Sequence, residues 1–549
     1  MNTYIKDLLL LTILIGALFG ACLGTYPLEV PDSARYAEIP REMVTSGDYI
    51  TPHLNGIKYF EKPPLFYWMQ AGAIKVFGPN NFAASFVNAF LGLCTCLLVY
   101  FVGRKLFNRR TGFLSSLILA TSTIIFALTH ITTLDMAFTF FLSAALSCFL
   151  LSTEETNKNY RDSYLWCMYA LAALAVMTKG LIGLIFPLGI IFFYVLIFNE
   201  WRKLKTYRII TGLLIFLLIT VPWHVLVQIR NPEFLHFYIV EQHFLRYFTT
   251  YAGRTQPFWF FPLVLILGFY PWIAFLPQAI LNNIPRKLNN LSKYRTTLFL
   301  LLWPVVIYIF YSCSNSKLIP YLLPIFPPFA ILVGKYLTDN WHTKPARSIN
   351  ISFNFIAIFN ILTGIGIGIA AFFIDQQNLA FSNSTLFICA SFLLLSGIAT
   401  MVLYHRQGIA SGCIALLITT SLALLSSNPI ITVANNQSIM PLMKTLQPKL
   451  GPNDEVISFG AYHQDLPFYT KRIITVVNYS GELAFGIKHQ DTSKWMLDTK
   501  GFWQHWNSNH KAFMIVDKNI YQNLLKVDPS KMFVLAEHQG DVLVTNRNN

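Results

Sequence analysis

The chain has 549 residues, of which 54% are hydrophobic and only 12% are charged. Soluble domains carry about 25% charged residues, so this composition excludes an ordinary soluble protein and indicates a polytopic membrane protein. The formal net charge of +15 does not indicate nucleic-acid binding, because the basic residues recur in short intervals between apolar runs, as membrane orientation requires. We expect membrane lipids around the chain and no nucleic-acid partner.

Thirteen apolar runs are long enough, or nearly long enough, to cross a membrane as helices. The first run could be mistaken for a signal peptide, but its length of about 19 residues predicts an uncleaved first span. Together the runs predict an α-helical membrane domain over residues 1–427. They lie at 7–25, 82–103, 112–129, 134–151, 164–178, 180–198, 209–228, 258–281, 297–312, 319–337, 350–374, 384–404 and 409–427.

The loops between the runs predict the orientation of the chain. Residues 104–110, 199–208, 282–295 and the segment around Lys344 and Arg347 are basic with little acid, and the positive-inside rule assigns such loops to the cytoplasm. An odd number of spans then places the N-terminus in the cytoplasm and the C-terminal region outside.

The composition becomes that of a soluble protein after residue 427. Alternating or β-branched runs predict strands, and the last of them reads as a hairpin that turns at Gln539–Gly540–Asp541. A helix is predicted within residues 494–506, between the second and third runs. We therefore expect a small α/β domain over residues 428–549 on the outer side. The strand runs are 454–460, 471–478, 511–518 and 532–546.

Ionisable residues gather in loops of the outer side, where topology does not require basic residues. The longest of these loops, residues 26–81, is dense in charge, and such a cluster must face water or line a polar cavity. Because five separated segments bring ionisable groups to one side, we predict a functional site there. Outside the first loop, the groups are Asp135, Lys179, His243, Arg246 and Lys317.

Two patterns in the first outer loop admit two interpretations each. Asp32 and Arg35 begin a series with helical spacing, which predicts a helix from near Pro31; its ion pairs could line a site or merely solvate one face. Glu61 and Lys62 precede two prolines that favour an extended backbone. They could meet a phosphate and a metal or hydroxyl, or form a charge pair on a stiff surface loop.

The outer cations together predict an anionic ligand at the bilayer boundary. Lys179, His243, Arg246 and Lys317 could each be an interfacial anchor if taken alone. Tyr321 follows Lys317 by four residues, so both would face one point if a helix begins there. Three or four hydrogen bonds to charged groups, each contributing about 1.5–3 kcal/mol, would hold one lipid phosphate.

Residues 31–68, PDSARYAEIPREMVTSGDYITPHLNGIKYFEKPPLFYW, resemble the first periplasmic loop of the bacterial lipid A aminoarabinose transferases. These belong to the protein mannosyltransferase-like, GT-C class of membrane glycosyltransferases. The resemblance covers essentially the whole chain, including the thirteen spans and the outer C-terminal domain. It continues through LDM (134–136), MTKG (177–180), EQHFLRYF (241–248), PFWFFP (257–262) and SKLIPYLLPIFPP (316–328).

The resemblance implies an inverting pentosyltransferase of the bacterial inner membrane. Its donor would be undecaprenyl phosphate carrying 4-amino-4-deoxy-L-arabinose, and its acceptor would be a phosphate of lipid A, on the periplasmic face. A related enzyme that moves mannose or galactosamine to protein or lipid is the alternative. A lipid-linked sugar transporter is more remote, because transporters place ionisable groups near the bilayer midplane.

The resemblance also implies roles for individual residues. Asp32 would be the main catalytic carboxylate and Asp135 a second acidic group lining the cavity. Glu61 and His243 match positions associated with a divalent metal, and no organic cofactor is expected. Departures from the family pattern are the second proline after Lys62 and the Ser33–Ala34 pair after Asp32. The donor phosphate would be held by Lys62, Arg246 and Tyr321, with further charge from Lys179 and Lys317.

The chemistry of the transfer refines two of these roles. Negative charge develops on the bridging oxygen as the prenyl phosphate leaves, so fixed cations at Lys62 and Arg246 would accelerate the step. A hydroxyl acceptor would need Asp32 as a general base. An anionic phosphate acceptor barely needs one, so with that acceptor we expect Asp32 to orient the sugar or stabilise its oxocarbenium character.

Overall fold

The structure is a computed structural model that describes residues 3–250, 253–285, 288–341, 347–373, 383–433 and 437–547. Residues 286–287 and Lys344 of the predicted basic loops, residue 374 of a predicted span, and residues 434–436 and 548–549 of the predicted C-terminal domain lie outside this part. Nine helices in the described residues are long and apolar enough to cross a membrane. They are Thr3–Gly20, Asn81–Leu106, Asp135–Glu154, Ile209–Arg230, Leu291–Ser312, Ile319–Asp339, Arg347–Phe373, Asn383–Gln407 and Ile409–Ser427.

Two bent helix pairs follow, and the count in the described part rises to eleven if each pair is one span. Arg109–Ala120 and Thr123–His130 meet at 58°, and Phe260–Gly268 and Trp272–Asn283 meet at 101°. The second bend contains Pro271, whose missing N–H cannot continue a helical ladder. Helices Lys158–Lys179 and Ile182–Phe198 occupy the two remaining predicted positions. The count of thirteen spans is not confirmed. Helix Lys158–Lys179 carries charged residues at both ends, and helix Ile182–Phe198 has only 17 residues.

The membrane helices expose large apolar side chains on their outer faces. Only 22% of the apolar window of Ile209–Arg230 is buried, and Ile210 and Leu218 are 87% and 65% exposed. Such continuous apolar surface suits lipid rather than water. The helices at the centre differ, since the windows of Asp135–Glu154 and Ile319–Asp339 are 83% buried. The chain is thus a multi-span membrane protein, as its composition predicted.

The first outer loop folds around a helix, Asp32–Ser46, which begins where the charge spacing predicted. This helix is not a solvated amphipathic helix, because every residue from 33 to 43 is buried. Inside it, Arg41 donates two 2.6 Å hydrogen bonds to Glu38. Glu42 accepts the N–H groups of Asn55 and Gly56 at 2.5 and 2.9 Å. The ion pairs therefore fix the loop internally.

The rest of this loop aims residues 61–62 inward. A two-stranded hairpin, His53–Leu54 with Ile57–Lys58, precedes a bend at Glu61 and Lys62. Helix Leu65–Phe77 then starts directly after Pro64, where a proline at a helix start costs no hydrogen bond.

The C-terminal region contains a six-stranded mixed sheet, which confirms the predicted α/β class. Its strands, from one edge to the other, are Met496–Leu497, Thr475–Val477, Glu455–Phe459, Ala512–Asp517, Asp541–Thr545 and Phe533–His538. The first four are parallel, and the last two form the predicted hairpin, whose turn has Gly540 at φ 92°. The longest of its helices are Met440–Leu446, Thr499–Trp506 and Lys518–Val527. The preceding membrane helix, Ile409–Val433, extends beyond the predicted boundary at residue 427.

The C-terminal domain packs directly on the first outer loop. Asn55 exchanges two hydrogen bonds with the backbone of Ile474, at 2.9 and 3.0 Å. Gln490 bonds the backbone of Gly56 and Lys58, each at 2.9 Å. These contacts hold the hairpin that leads into Glu61 and Lys62.

Candidate active site

Five of the residues predicted from the sequence line one small cavity of about 80 Å³, here called the cationic pocket. They come from four separate segments of the chain, so the fold brings together groups that are distant in sequence. The pocket continues along Gln242, Tyr311, Ser314 and Ser316. The five predicted residues are Lys62, Lys179, His243, Arg246 and Tyr321.

Lys62 is a cation of this pocket that Glu61 influences electrostatically without forming an ion pair with it. Its ammonium has no hydrogen-bond or ion-pair partner among the residues that the structure describes. Burial, together with the nearby Arg246 guanidinium, lowers the pKa of Lys62 to about 7. An anion in the pocket would restore its charge, so Lys62 is placed to bind one.

Arg246 links the cationic pocket to the carboxylates beside it. Its Nη1 lies 3.2 Å from the Gln242 side-chain oxygen and 3.7 Å from Glu61 Oε2, and its Nη2 lies 3.5 Å from the Tyr321 hydroxyl. A guanidinium stays charged in proteins and presents donors in a fixed fork. Arg246 therefore offers an oriented, permanently charged wall for a phosphate.

Lys179 is already neutralised by Asp135. The two side chains form an ion pair, and the Lys179 ammonium lies 4.6 Å above the Tyr321 ring. Asp135 is the first residue of helix Asp135–Glu154, where the helix dipole favours a negative charge. Asp135 thus lies beside the pocket as the partner of Lys179, and the Lys179 ammonium packs on the face of the Tyr321 ring.

Asp32 belongs to a carboxylate cluster organised by Arg35. Arg35 lies 3.1 Å from Asp32 and 3.8 Å from Glu61, and its Nε is 3.1 Å from Glu482. It also donates a 2.8 Å hydrogen bond to Tyr59. The Asp32 side chain is 38% exposed, against 19% for Glu61 and 14% for Glu482, so Asp32 is the most open carboxylate of this cluster.

Glu61 connects the two halves of the site. It faces Arg35 on one side and Arg246 on the other. Burial alone would raise its pKa, but the two guanidinium groups outweigh burial and hold the pKa of Glu61 below its usual range. Glu61 is therefore an anion that joins the Asp32 cluster to the cationic pocket.

The arrangement does not fit the predicted divalent metal. His243 uses both ring nitrogens, since Nε2 accepts the Leu181 N–H at 3.1 Å and Nδ1 lies 2.6 Å from the Tyr238 carbonyl. Burial lowers the pKa of His243 to about 4, so the ring is neutral. Glu61 is already paired with two arginines, and the described residues contain no group of three or more His, Cys, Asp or Glu placed to hold a metal.

Lys317 is a predicted phosphate-binding residue that the fold does not bring into the cationic pocket. Its ammonium donates to the Gln256 carbonyl at 3.2 Å, and its backbone N–H donates to Arg254. The predicted α-helical spacing to Tyr321 is wrong here, because Ile319–Ile325 is a 3₁₀ segment that begins after Lys317. Lys317 instead anchors the neighbouring loop.

Sequence reasoning missed the contribution of the C-terminal domain. Glu482, which pairs with Arg35, lies in a soluble-like region where a charged residue is ordinary, so no local signal marked it. Gln242 was also missed, although it lies within the motif EQHFLRYF. Its amide contacts Arg246 and lines the cationic pocket.

Two larger cavities adjoin the cationic pocket. An apolar groove of about 400 Å³ lies between helices Lys158–Lys179, Ile182–Phe198 and Ile209–Arg230, and it includes Leu181, whose N–H binds His243. A polar cleft of about 730 Å³, here called the outer cleft, lies between segments 233–254 and 481–489. The cationic pocket therefore shares Gln242 and Arg246 with the outer cleft, and it neighbours the apolar groove through the contact between His243 and Leu181.

Two protein-family sequence models match parts of this chain. The model of dolichyl-phosphate-mannose-protein mannosyltransferases matches residues 28–238, and the model of the aminoarabinose transferase C-terminal domain matches residues 442–546. A crystal structure of ArnT from Cupriavidus metallidurans bound to undecaprenyl phosphate covers 98% of this chain and 98% of its own, with a TM-score of 0.85 and 26% identity. The apo structure of the same protein gives a TM-score of 0.84 at 25% identity.

Sequence relatives from several bacteria share one name. An undecaprenyl phosphate-alpha-4-amino-4-deoxy-L-arabinose arabinosyl transferase of Aeromonas hydrophila is 31% identical over 350 residues, 63% of this chain. That alignment spans 62% of the relative, which is less than two thirds of its length. A relative of the same name from Edwardsiella ictaluri is 26% identical over 88% of this chain and 87% of its own.

The helical membrane domain with its charged outer loop is similar to the mannosyltransferase class of membrane proteins that the first family model describes. The C-terminal domain match and the ArnT structure narrow this likeness. Over nearly its whole length, the chain is similar to the bacterial aminoarabinose transferases, which confirms the resemblance in its motifs.

Proposed function

We propose that this protein transfers 4-amino-4-deoxy-L-arabinose from undecaprenyl phosphate to a phosphate of lipid A. The names of its relatives support this donor, and an ArnT structure holds undecaprenyl phosphate. The observation that carries the proposal is Lys62, an ammonium without a partner in the described residues, beside Arg246 and Tyr321. This set of donors suits a phosphate.

The two spaces next to His243 suit the two parts of a prenyl phosphate. The phosphate would occupy the cationic pocket, and the isoprenoid chain would follow the apolar groove past Leu181. Leu181 lines that groove, and its N–H binds the ring of His243, which lines the pocket. His243 thus acts as a neutral spacer between the charged and apolar parts, rather than as a metal ligand.

The transfer forms a bond between an acceptor phosphate oxygen and the anomeric carbon of the sugar. The bond from that carbon to the bridging oxygen breaks, and its electron pair leaves with the prenyl phosphate. Lys62 and Arg246 stabilise the negative charge that develops there, and fixed donors of this kind act most strongly in the transition state. Asp32 faces the opposite, sugar side and stabilises positive character at the anomeric carbon.

We also propose that the N-terminus is cytoplasmic in the inner membrane and that the site and C-terminal domain are periplasmic. Asp7, in the first helix, binds Arg104 and Arg109 at 3.1 and 2.7 Å. The first helix therefore begins beside the basic loop 104–110, which the positive-inside rule assigns to the cytoplasm.

The decisive experiment is mass spectrometry of lipid A from cells that lack or express this chain. We expect a phosphate-linked mass increment of a pentosamine that depends on expression and disappears in Lys62→Ala. Lys75→Ala is the matched control, because Lys75 is exposed in the adjacent helix Leu65–Phe77, and it should keep the increment. A hexose increment, or sugar on protein instead of lipid A, would support the related mannosyl- or galactosaminyltransferase and contradict the proposal.

A further inference from the structure

Tyr311 lines the cationic pocket, and its hydroxyl has no hydrogen-bond partner among the residues that the structure describes. The residue is only 4% exposed, so open solvent does not satisfy the hydroxyl. Leaving a buried polar group unpaired costs stability, and buried polar groups in proteins nearly always have a partner. Because this hydroxyl borders a cavity, a ligand in that cavity can supply the missing partner.

Three aromatic rings hold Tyr311 in place. Its ring stacks on Tyr321 with the ring centroids 4.7 Å apart, and it meets the rings of Phe186 and Phe310 edge to face at 5.4 and 5.5 Å. Such contacts between aromatic rings have preferred geometries. A tyrosine hydroxyl lies on the axis of its ring, so a ring flip would not bring the oxygen to another partner. The packing therefore fixes the hydroxyl at the wall of the pocket.

The charge of the pocket selects an anion. Its lining contains Lys62, Lys179 and Arg246 and no Asp or Glu among the described residues. The neighbouring Asp135 and Glu61 pair with the second and third of these cations, so the cations outnumber the carboxylates that they face. The volume of about 80 Å³ is several times the space for one water, about 10–15 Å³. The pocket therefore has room for a phosphate group.

The hydroxyl of Tyr311 has one role open to it beside such a ligand. The oxygens of an anion accept hydrogen bonds, and a tyrosine hydroxyl can donate one. Tyr321, the neighbouring hydroxyl, already lies 3.5 Å from Arg246 Nη2. Tyr311 is therefore the tyrosine of this stacked pair whose hydroxyl is not engaged by another side chain in the described part of the chain.

We propose that Tyr311 is a further phosphate-binding residue of the transfer reaction and that its hydroxyl donates a hydrogen bond to the phosphate of the prenyl donor. This inference rests on the proposed function. The donor phosphate is a diester with one negative charge, and it leaves as a monoester that carries a second. A hydrogen bond to a charged acceptor strengthens as that charge grows, so Tyr311 holds the leaving group more tightly than the intact donor. The hydroxyl keeps its proton throughout, and no bond to Tyr311 forms or breaks.

The test compares the binding of undecaprenyl phosphate and undecaprenol to the full-length protein in nanodiscs of neutral lipid. Tyr311→Phe removes only the hydroxyl and keeps the stacked ring. It should weaken the binding of undecaprenyl phosphate about tenfold, the size expected for one hydrogen bond to a charged group. Binding of undecaprenol, which has no phosphate, should stay unchanged. In a transfer assay, the KM for the sugar donor should rise less than the Kd for undecaprenyl phosphate.

Tyr308→Phe is the matched control, because Tyr308 lies in the same helix, Arg295–Ser312, and outside the lining of the pocket. It should leave both affinities unchanged. The thermal unfolding of the ligand-free protein separates a ligand-binding role from a structural one. Tyr311→Phe should not lower the unfolding temperature, because the hydroxyl has no partner in the described residues to lose.

An unchanged affinity of Tyr311→Phe for undecaprenyl phosphate, or an equal loss for undecaprenol, would overturn the inference. A lowered unfolding temperature of ligand-free Tyr311→Phe would also overturn it, since it would reveal a structural role. Bulk phospholipid is the other source of phosphate: if phosphatidylglycerol displaced undecaprenyl phosphate from the wild type, the pocket would bind that lipid and the inference would fail. The proposed function fails differently, through a wild-type protein that binds undecaprenyl phosphate but transfers no sugar to lipid A.

Discussion

Replacing Glu482 by glutamine tests whether the C-terminal domain takes part in the reaction. Arg35 is buried between Asp32, Glu61 and Glu482, and only Glu482 comes from the C-terminal domain. Gln464 also donates to Glu482 at 2.9 Å. Without the Glu482 charge, we expect Arg35 to shift further onto Asp32, the carboxylate that we propose faces the sugar.

The structure sets the size of this effect. Unit charges 3.1 Å apart, the distance from Arg35 Nε to Glu482 Oε2, attract each other by about 5 kcal/mol at an effective dielectric constant of about 20. Burial offsets much of this attraction, and it raises the pKa of Glu482 even though Arg35 lowers it. A net contribution of about 1.5 kcal/mol remains, as for other hydrogen bonds to charged groups. Glu482→Gln should therefore lower kcat about tenfold.

The assay is transfer by purified protein at saturating donor and acceptor, with thermal unfolding measured in parallel. Glu537→Gln is the control, because Glu537 forms an exposed pair with Lys518 in the same domain, and it should leave kcat unchanged. If Glu482 acts through Arg35, its effect should shrink in an Arg35→Lys background, since coupled residues are not additive. An unchanged kcat in Glu482→Gln, or full additivity with Arg35→Lys, would show that Glu482 does not act on the reaction through Arg35.

Three further predictions concern the donor, the metal and stability. Burial and Arg246 lower the pKa of Lys62 to about 7, so undecaprenyl phosphate should bind with proton uptake. Its affinity should therefore fall as the pH rises above about 7. Binding titrations at several pH values should show this fall in the wild type and not in Lys62→Arg. Dialysis against a chelator should leave the transfer rate unchanged, because both nitrogens of His243 are bound within the protein; a rate restored only by added metal would contradict this. Glu38→Ala should lower the free energy of unfolding by about 3–5 kcal/mol, because it leaves the buried Arg41 charge without its partner. A loss below about 1 kcal/mol, the size expected for an exposed ion pair, would contradict this prediction.

The helical framework could be predicted because apolar runs in membrane proteins have few alternatives. A backbone in lipid must satisfy its own hydrogen bonds, so each run becomes a helix. What hydropathy could not show were the breaks within runs. The turn after Ala120 and the bend at Pro271 depend on local hydrogen bonding, and Pro271 alone was a visible signal.

The cationic pocket could be predicted because charged residues are rare in this chain, and each one outside the basic loops needed a reason. Lys62, Lys179 and Arg246 were found in this way. Glu482 could not be found, because charge is ordinary in a soluble domain and only the packing on the first outer loop brings it to the site. Lys317 was misplaced because its spacing to Tyr321 assumed an α-helix.

The arrangement of charge around Asp32 also bears on its role. One Asp32 oxygen is bound by Arg35 at 3.1 Å, which orients the carboxylate. On the other side of Glu61, Arg246 and Lys62 supply positive charge. A glycosyl transition state separates charge in the same sense, with positive character on the sugar and negative charge on the leaving phosphate. A site built this way needs no general base when the acceptor is already an anion, so the fixed charges favour a phosphate acceptor over a hydroxyl.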